Sequence, residues 1–219
     1  MRIVWLATGG VVAAVGYALA SLGAPQLLMF PHQTLIGQTP VYSSRPLSLE
    51  IRKIVAAADA RVRTSDLFTP DVQRRPIFLT DGGPRWWLLS IGASGSFALT
   101  RPFGEAVVIN RSRSDVDRAY NGAALGGERS LSGVIAHERT HILIRRRFGM
   151  FADRTLPNWK VEGYCDHVAG GGTLSDAQAS TLRGLASPPR ALFYYDARKR
   201  VERRLAENGG SAEVLFGID

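Results

Sequence analysis

The chain of 219 residues contains little cysteine and little lysine, and both shortages are informative. Cys165 is the only cysteine, so no intramolecular disulfide can form and a disulfide-stabilised fold is excluded. Its place in a predicted helix indicates a small packing residue rather than a metal ligand or a nucleophile. Only three of the 27 basic residues are lysines, so the net charge of +8 comes almost wholly from arginine.

This basic character is compatible with anionic lipid headgroups, nucleic acid or acidic substrates as partners. The sequence contains no recognisable nucleic-acid-binding motif, so no nucleic-acid partner is expected. The densest basic run, from Arg198 to Arg204, is interpreted as the solvated face of a helix.

The N-terminal region lacks charge: between Arg2 and Arg45 only His32 could carry one. Residues 3–23 are nearly all apolar or small, which is about the length of a bilayer span. A cleavage pattern of the A-x-A type stands at residues 18–20, so a signal segment stays open. We predict a transmembrane anchor or signal segment over residues 1–30 and favour the anchor. Because Arg2 precedes the apolar run, the remainder is expected outside the cytoplasm, as a single-pass membrane protein, or secreted if cleaved.

The most informative motif is His137-Glu138-Arg139-Thr140-His141, within a stretch that predicts a helix from about Leu131 to Phe148. Positions i and i+4 share one face of a helix, so both imidazoles can bind one metal ion. Glu138 then lies one residue round, beside the open coordination position. The alternative is a buried core helix whose histidines only satisfy hydrogen bonds.

A catalytic zinc normally has three protein ligands, and the next segment offers the third. A second short helix is predicted between Pro157 and Gly170. Within it Glu162 and Asp166 are again spaced i to i+4. Glu162 can therefore bind the metal while Asp166 accepts the outer N–H of a ligand histidine. Two surface carboxylates at helical spacing would be the alternative.

This arrangement resembles the gluzincin metallopeptidases, and the run from Trp159 to Tyr164 is most similar to their small membrane-linked peptidase-like domains. The resemblance covers about residues 130–170. It implies zinc ligands at His137, His141 and Glu162, a catalytic base at Glu138, and a supporting aspartate at Asp166. A Gly-x-Met-x-Asn motif of the aminopeptidases is missing, so an aminopeptidase assignment is not supported, and the choice between endo- and exopeptidase stays open.

In such a site zinc lowers the pKa of a bound water, and Glu138 accepts the proton as that water attacks a peptide carbonyl. The oxyanion then needs a donor. Tyr194 or Tyr195, in a predicted C-terminal helix, could supply it, although a core tyrosine satisfied elsewhere is an open alternative. Tyr164 and His167 point away from Glu162 on its helix and are interpreted as packing residues.

The expected fold class is α+β: a zincin-like domain with a small mixed sheet, an edge strand beside the metal-binding helix, and a helical C-terminal part. One catalytic domain is expected over residues 31–219. Candidates for the edge strand are residues 96–100 and 106–110, where a peptide could pair by strand addition. Residues 115–128 are polar and glycine-rich, and they form either a lid or an inert loop. Helices are expected from about residue 175 and over residues 190–207.

Two functions from different classes therefore remain. The first is a membrane-anchored zinc metallopeptidase that hydrolyses peptide or protein substrates. The second is a non-catalytic envelope protein whose zincin scaffold binds a peptide or a protein partner. Glu138 favours the enzyme, because a structural metal site needs no carboxylate at that position whereas water activation does. The sequence leaves the oligomeric state open.

Overall fold

A computed structural model describes residues 15–123 and 125–217. Residues 1–14, almost half of the predicted N-terminal segment over residues 1–30, lie outside the described residues. Helix α1 is described over residues 15–23, and a short 3-10 turn, Pro25–Leu28, follows it. Within the two described ranges, no helix has the length and apolar character that a membrane crossing requires.

The core of the molecule is a mixed five-stranded sheet in the order β1-β2-β3-β5-β4. Its strands are β1 (His32–Ile36), β2 (Thr39–Ser43), β3 (Ile77–Leu79), β4 (Ala98–Thr100) and β5 (Val107–Ile109). The three central strands run parallel, whereas β1 and β4 pair antiparallel at the two edges. A three-stranded antiparallel sheet follows, formed by β6 (Arg111–Arg113), β7 (Arg118–Tyr120) and β8 (Glu128–Arg129). The predicted α+β class with a mixed sheet is confirmed.

Helices cover the sheet and form the C-terminal part of the chain. They are α2 (Ile51–Val62), α3 (Gly83–Leu89), α4 (Leu131–Phe148), α5 (Ala152–Thr155), α6 (Asn158–Val168), α7 (Asp176–Arg183), α8 (Arg190–Glu207) and α9 (Ala212–Phe216). A further 3-10 turn spans Pro70–Arg74.

Helix α4 carries the His-Glu-x-x-His motif and has the predicted bounds. The Ser130 side chain caps its first turn by accepting a hydrogen bond from the backbone N–H of Gly133. Three arginines occupy its last turn, where their positive charges interact favourably with the negative end of the helix dipole. All residues from Leu131 to Ile144 are buried, because α4 packs against α2, α6 and the edge strand β4.

Helix α6 carries the predicted third ligand, and its position is set by very close packing against α8. A Cβ atom placed on Gly163 would lie 2.5 Å from the backbone carbonyl oxygen of Ala197, well inside contact distance. Only glycine therefore permits this approach between α6 and α8. Because Gly163 directly follows Glu162, this close contact lies next to the predicted third ligand.

Several local expectations were wrong in detail. Strand β5 is interior, so residues 106–110 cannot be the sheet edge, whereas β4 is an edge strand. The segment expected to be an irregular loop over residues 115–128 contains β7 and the start of β8. Hairpins β1–β2 and β6–β7 escaped the sequence reasoning because short polar strands carry little periodic signal.

Candidate metal centre

The two motif histidines and Glu162 bring three donor atoms close to one another. The Nε2 atoms of His137 and His141 lie 3.2 Å apart. The Oε2 atom of Glu162 is 3.3 Å from the first nitrogen and 3.8 Å from the second. Both imidazoles are buried, with His137 7% and His141 8% exposed.

These separations fit a tetrahedral ion. With bonds of about 2.0–2.1 Å, tetrahedral geometry places neighbouring donor atoms about 3.3–3.4 Å apart. Two of the three measured separations agree with this value to within about 0.2 Å, and the third exceeds it by less than 0.5 Å. The residues present are therefore able to hold a metal ion, as the sequence suggested.

Cys165 is an alternative to Glu162 as the third donor, although the sequence indicated only a packing residue at this position. Its sulfur and one nitrogen of each motif histidine all lie within 4.8 Å of one another. Complete burial raises the pKa of this thiol, and the neighbouring carboxylates raise it further, beginning with that of Glu162. A thiolate is therefore disfavoured here.

The Glu162 carboxyl group is the third donor that the sequence predicted, and its Oε2 atom lies close to both imidazoles. Burial alone would raise its pKa, but the hydrogen bond with His137 and the charges of both imidazoles hold the pKa below its ordinary value. The group is therefore ionised and directed at both Nε2 atoms. A bound metal ion would itself deprotonate a coordinating thiol, so Glu162 and Cys165 are both candidates for the third donor.

Each motif histidine is supported from behind by an aspartate. The Nδ1 atom of His137 lies 2.7 Å from Oδ1 of Asp166, as the sequence predicted. The Nδ1 atom of His141 lies 3.3 Å from Oδ1 of Asp153, a contact that sequence reasoning missed. Such contacts fix the ring orientation and leave Nε2 free to bind a metal.

An arginine in turn holds each of these aspartates. Arg129 donates from Nη2 to Oδ1 of Asp166 over 2.7 Å, and Arg145 donates from Nε to Oδ2 of Asp153 over 2.6 Å. Asp166 is completely buried, whereas the Asp153 side chain is 24% exposed. The contact that supports His137 is therefore the shorter of the two and the less exposed to solvent.

The concentration of carboxylates around the rings favours a cation. Burial disfavours a charged imidazole, yet hydrogen bonds and charges from Asp166 and Glu162 raise the pKa of His137 to about 10. The pKa of His141 is also raised, because its contact with Asp153 and the charge of Glu162 outweigh burial. This negative field would equally stabilise a divalent ion between the rings.

The candidate base Glu138 is held by the edge strand. The Thr100 hydroxyl at the end of β4 lies 2.8 Å from Oε2 of Glu138 and also 2.8 Å from its backbone carbonyl oxygen. Both residues are buried, and Glu138 lines the same cleft as the two motif histidines. The carboxylate therefore has a fixed orientation beside the donor cluster.

A cleft of about 430 Å³ opens above the donor cluster. One wall is the segment from Gly95 to Thr100, which includes β4, and the opposite wall includes the first turn of α8. Side chains or backbone of Asn121, Ala123, Leu125 and Gly126 also line it. The region suspected of being a lid thus borders the cleft, although part of it is strand.

Of the two tyrosines considered as oxyanion donors, only Tyr194 lines the cleft. Burial raises its pKa to about 12, and the charges of Glu162, Asp166 and Glu138 contribute to that rise. Its hydroxyl is therefore protonated at neutral pH. Tyr195 is directed elsewhere, with its hydroxyl donating to Oδ1 of Asp176 over 2.7 Å, so it cannot serve.

The contributions of Asp153, Arg129, Arg145 and Thr100 could not be found from the sequence. Asp153, Arg129 and Thr100 lie outside α4, and although Arg145 follows His141 by four residues within α4, that spacing does not indicate its contact with Asp153. Trp86 and Trp87 lie away from the cleft lining: Trp86 is buried in α3 and donates its indole N–H to the Ser94 carbonyl oxygen.

We compared the chain with family models, with curated proteins and with solved structures, and none of them matches.

Proposed function

We propose that this chain is a zinc-dependent metallopeptidase with a zincin-like fold, as its resemblance to the gluzincins suggests. The observation that carries the proposal is the approach of Glu162 to both imidazoles, at 3.3 and 3.8 Å. The Glu162 carboxylate, from a different helix, lies close to the Nε2 atoms of both motif histidines. An ordinary surface carboxylate would not be directed at these two nitrogens.

The donor set supports zinc as the metal. Two imidazole nitrogens and one carboxylate oxygen are a frequent ligand set of catalytic zinc, with a fourth position left for water or substrate. When bound, zinc would polarise a peptide carbonyl and lower the pKa of a water molecule.

Glu138 is the proposed base. Its carboxylate would accept a proton from the attacking water and deliver it to the amine that leaves. The Thr100 hydroxyl holds Oε2 in place, so little reorientation is needed when the proton moves. The protonated hydroxyl of Tyr194 would donate a hydrogen bond to the carbonyl oxygen as negative charge develops there.

The edge strand provides a way to hold an extended substrate. In the five-stranded sheet, β4 pairs with β5 on one side only, and its other side borders the cleft. A peptide could add to β4 by main-chain hydrogen bonds, which would align its backbone with Glu138. The substrate is therefore proposed to be a peptide or an extended segment of a protein.

The apolar segment over residues 3–23 supports the further proposal that the enzyme is membrane-anchored with its catalytic domain outside the cytoplasm.

The test measures metal content and peptide hydrolysis on the full-length protein and its variants. We expect one zinc per chain, loss of hydrolysis on chelation, and recovery when zinc is added back. Glu138→Gln should keep zinc and lose turnover, whereas His141→Ala and Glu162→Ala should lose zinc. Cys165→Ala is the matched control, because it removes the competing donor that lies one helical turn from Glu162 in α6. This variant should keep both zinc binding and hydrolysis.

Two outcomes would count against the proposal. Loss of zinc in Cys165→Ala with retention in Glu162→Ala would assign the third ligand to sulfur and remove the hydrolytic donor set. Zinc binding without hydrolysis of a broad peptide library would favour the non-catalytic binding protein.

A further inference from the structure

One arginine of the cleft lining has no ionic partner in the described part of the chain. Arg190 is the first residue of α8, is exposed, and lines the cleft. Across residues 15–123 and 125–217, no carboxylate lies within 4.0 Å of its guanidinium group. Its one described hydrogen bond is donated from Nη2 to the Tyr194 hydroxyl oxygen over 3.2 Å.

The other two arginines of the cleft are committed to structural contacts. Arg129 is bound to Asp166 and Arg145 to Asp153, and each guanidinium also donates to a backbone carbonyl oxygen. In each pair the positive charge of the arginine is balanced by the negative charge of its aspartate. A guanidinium has five N–H donors, so Arg190 retains most of its hydrogen-bonding capacity for a ligand.

The position of Arg190 relates it to the reaction centre through Tyr194. Because Arg190 donates to the phenolic oxygen, the hydroxyl hydrogen of Tyr194 is left free to donate elsewhere. A peptide whose carbonyl oxygen meets Tyr194 would extend by about 3.3–3.6 Å per residue. A group one residue from the bond to be cleaved can therefore reach the Arg190 guanidinium.

We propose that Arg190 makes the cleft selective for peptides that carry a carboxylate next to the bond to be cleaved. The guanidinium geometry matches a carboxylate in two parallel hydrogen bonds. This inference rests on the proposed peptidase function, of which it names the substrate class. The carboxylate comes either from an acidic side chain or from the C-terminus of a short peptide.

The test measures peptide binding to the full-length, zinc-loaded Glu138→Gln protein, in which cleavage does not consume the ligand. Three fluorescent peptides are matched in sequence: one with an internal Glu and an amidated C-terminus, the same peptide with Gln, and the Gln peptide with a free C-terminal carboxylate. Arg190→Gln removes the charge but retains a donor for Tyr194, and Arg190→Glu reverses the charge. Arg203→Gln, an exposed position of α8 outside the cleft lining, is the control.

We expect the Glu peptide or the free-carboxylate peptide to bind better than the amidated Gln peptide, and the better binder identifies the source of the carboxylate. Arg190→Gln should weaken binding of that peptide about two- to fivefold, the range of an exposed ion pair, and leave binding of the amidated Gln peptide unchanged. Arg190→Glu should weaken binding of that peptide further, while Arg203→Gln should change the binding of none of the three peptides.

Equal weakening of all three peptides by Arg190→Gln would overturn the inference, because Arg190 would then only orient Tyr194. Absence of any preference in the parent protein would overturn it as well. Because binding is measured apart from turnover, a charge preference without hydrolysis in the wild-type protein would refute the peptidase alone.

Discussion

The contact behind His137 gives the sharpest test of the metal centre. Asp166→Asn keeps the size of the side chain and an acceptor oxygen but removes the negative charge. In the structure that charge lies 2.7 Å from Nδ1 of His137 and 2.7 Å from Nη2 of Arg129, in complete burial. The substitution therefore weakens the support of the ring and leaves a nearly buried guanidinium without its counter-charge.

The expected magnitude follows from these contacts. Loss of a group that orients a metal-binding histidine typically costs 10- to 100-fold in metal affinity, about 1.4–2.8 kcal/mol. The full burial of Asp166 places its effect at the upper end. Asp153→Asn is the matched comparison and should cost about tenfold or less, because its contact is longer, at 3.3 Å, and its side chain is partly exposed.

Zinc affinity would be measured by competition with a chelating dye for both variants and the parent. Thermal unfolding of the same samples should show that Asp166→Asn also lowers the free energy of unfolding by about 2 kcal/mol, because Arg129 loses an ionic partner. Asp176→Asn, remote from the cleft, should leave the zinc affinity unchanged. Equal affinities of Asp166→Asn and the parent would refute the reasoning, as would a larger effect of Asp153→Asn.

Two further substitutions test the residues assigned to the reaction. Thr100→Val removes the hydroxyl that holds Glu138 and should lower kcat about 10- to 100-fold with zinc retained, the size of one hydrogen bond to a charged group, whereas Thr100→Ser should restore most of it. Equal rates in the two variants would contradict this role. Tyr194→Phe should lower kcat about 100- to 1,000-fold without changing the zinc content, as expected for one oxyanion donor, while Tyr195→Phe should leave kcat unchanged. Zinc removal should also lower the melting temperature of the parent, because zinc binds only the folded protein, and an unchanged melting curve would count against a built metal site.

The local parts of the structure were predictable because their signals are local. The bounds of α4 follow from an apolar face, a serine cap and a terminal glycine, all within one stretch of sequence. Helix α8 likewise begins after a proline pair and has the predicted range. The spacing of His137 and His141 then places both rings on one face of α4 whatever the rest of the fold does.

The short strands were less predictable. Strands β3, β4 and β5 have three residues each, and runs of that length are compatible with several structures. Which of two candidate strands forms the sheet edge depends on strand order, a long-range property. The choice between Tyr194 and Tyr195 likewise depends on how α8 is rotated against α6, which periodicity alone left open.

The sequence by itself determined that two histidines share one face of a helix with a carboxylate one residue round, and that a pair of acids shares one face of a second helix. Helix geometry converts such spacings directly into shared faces. Only the tertiary structure decided that Glu162 reaches both imidazoles, that Asp153 and Thr100 support the site, and that β4 borders the cleft. Those contacts join elements distant in the chain, and they depend on close packing such as that of Gly163 against α8.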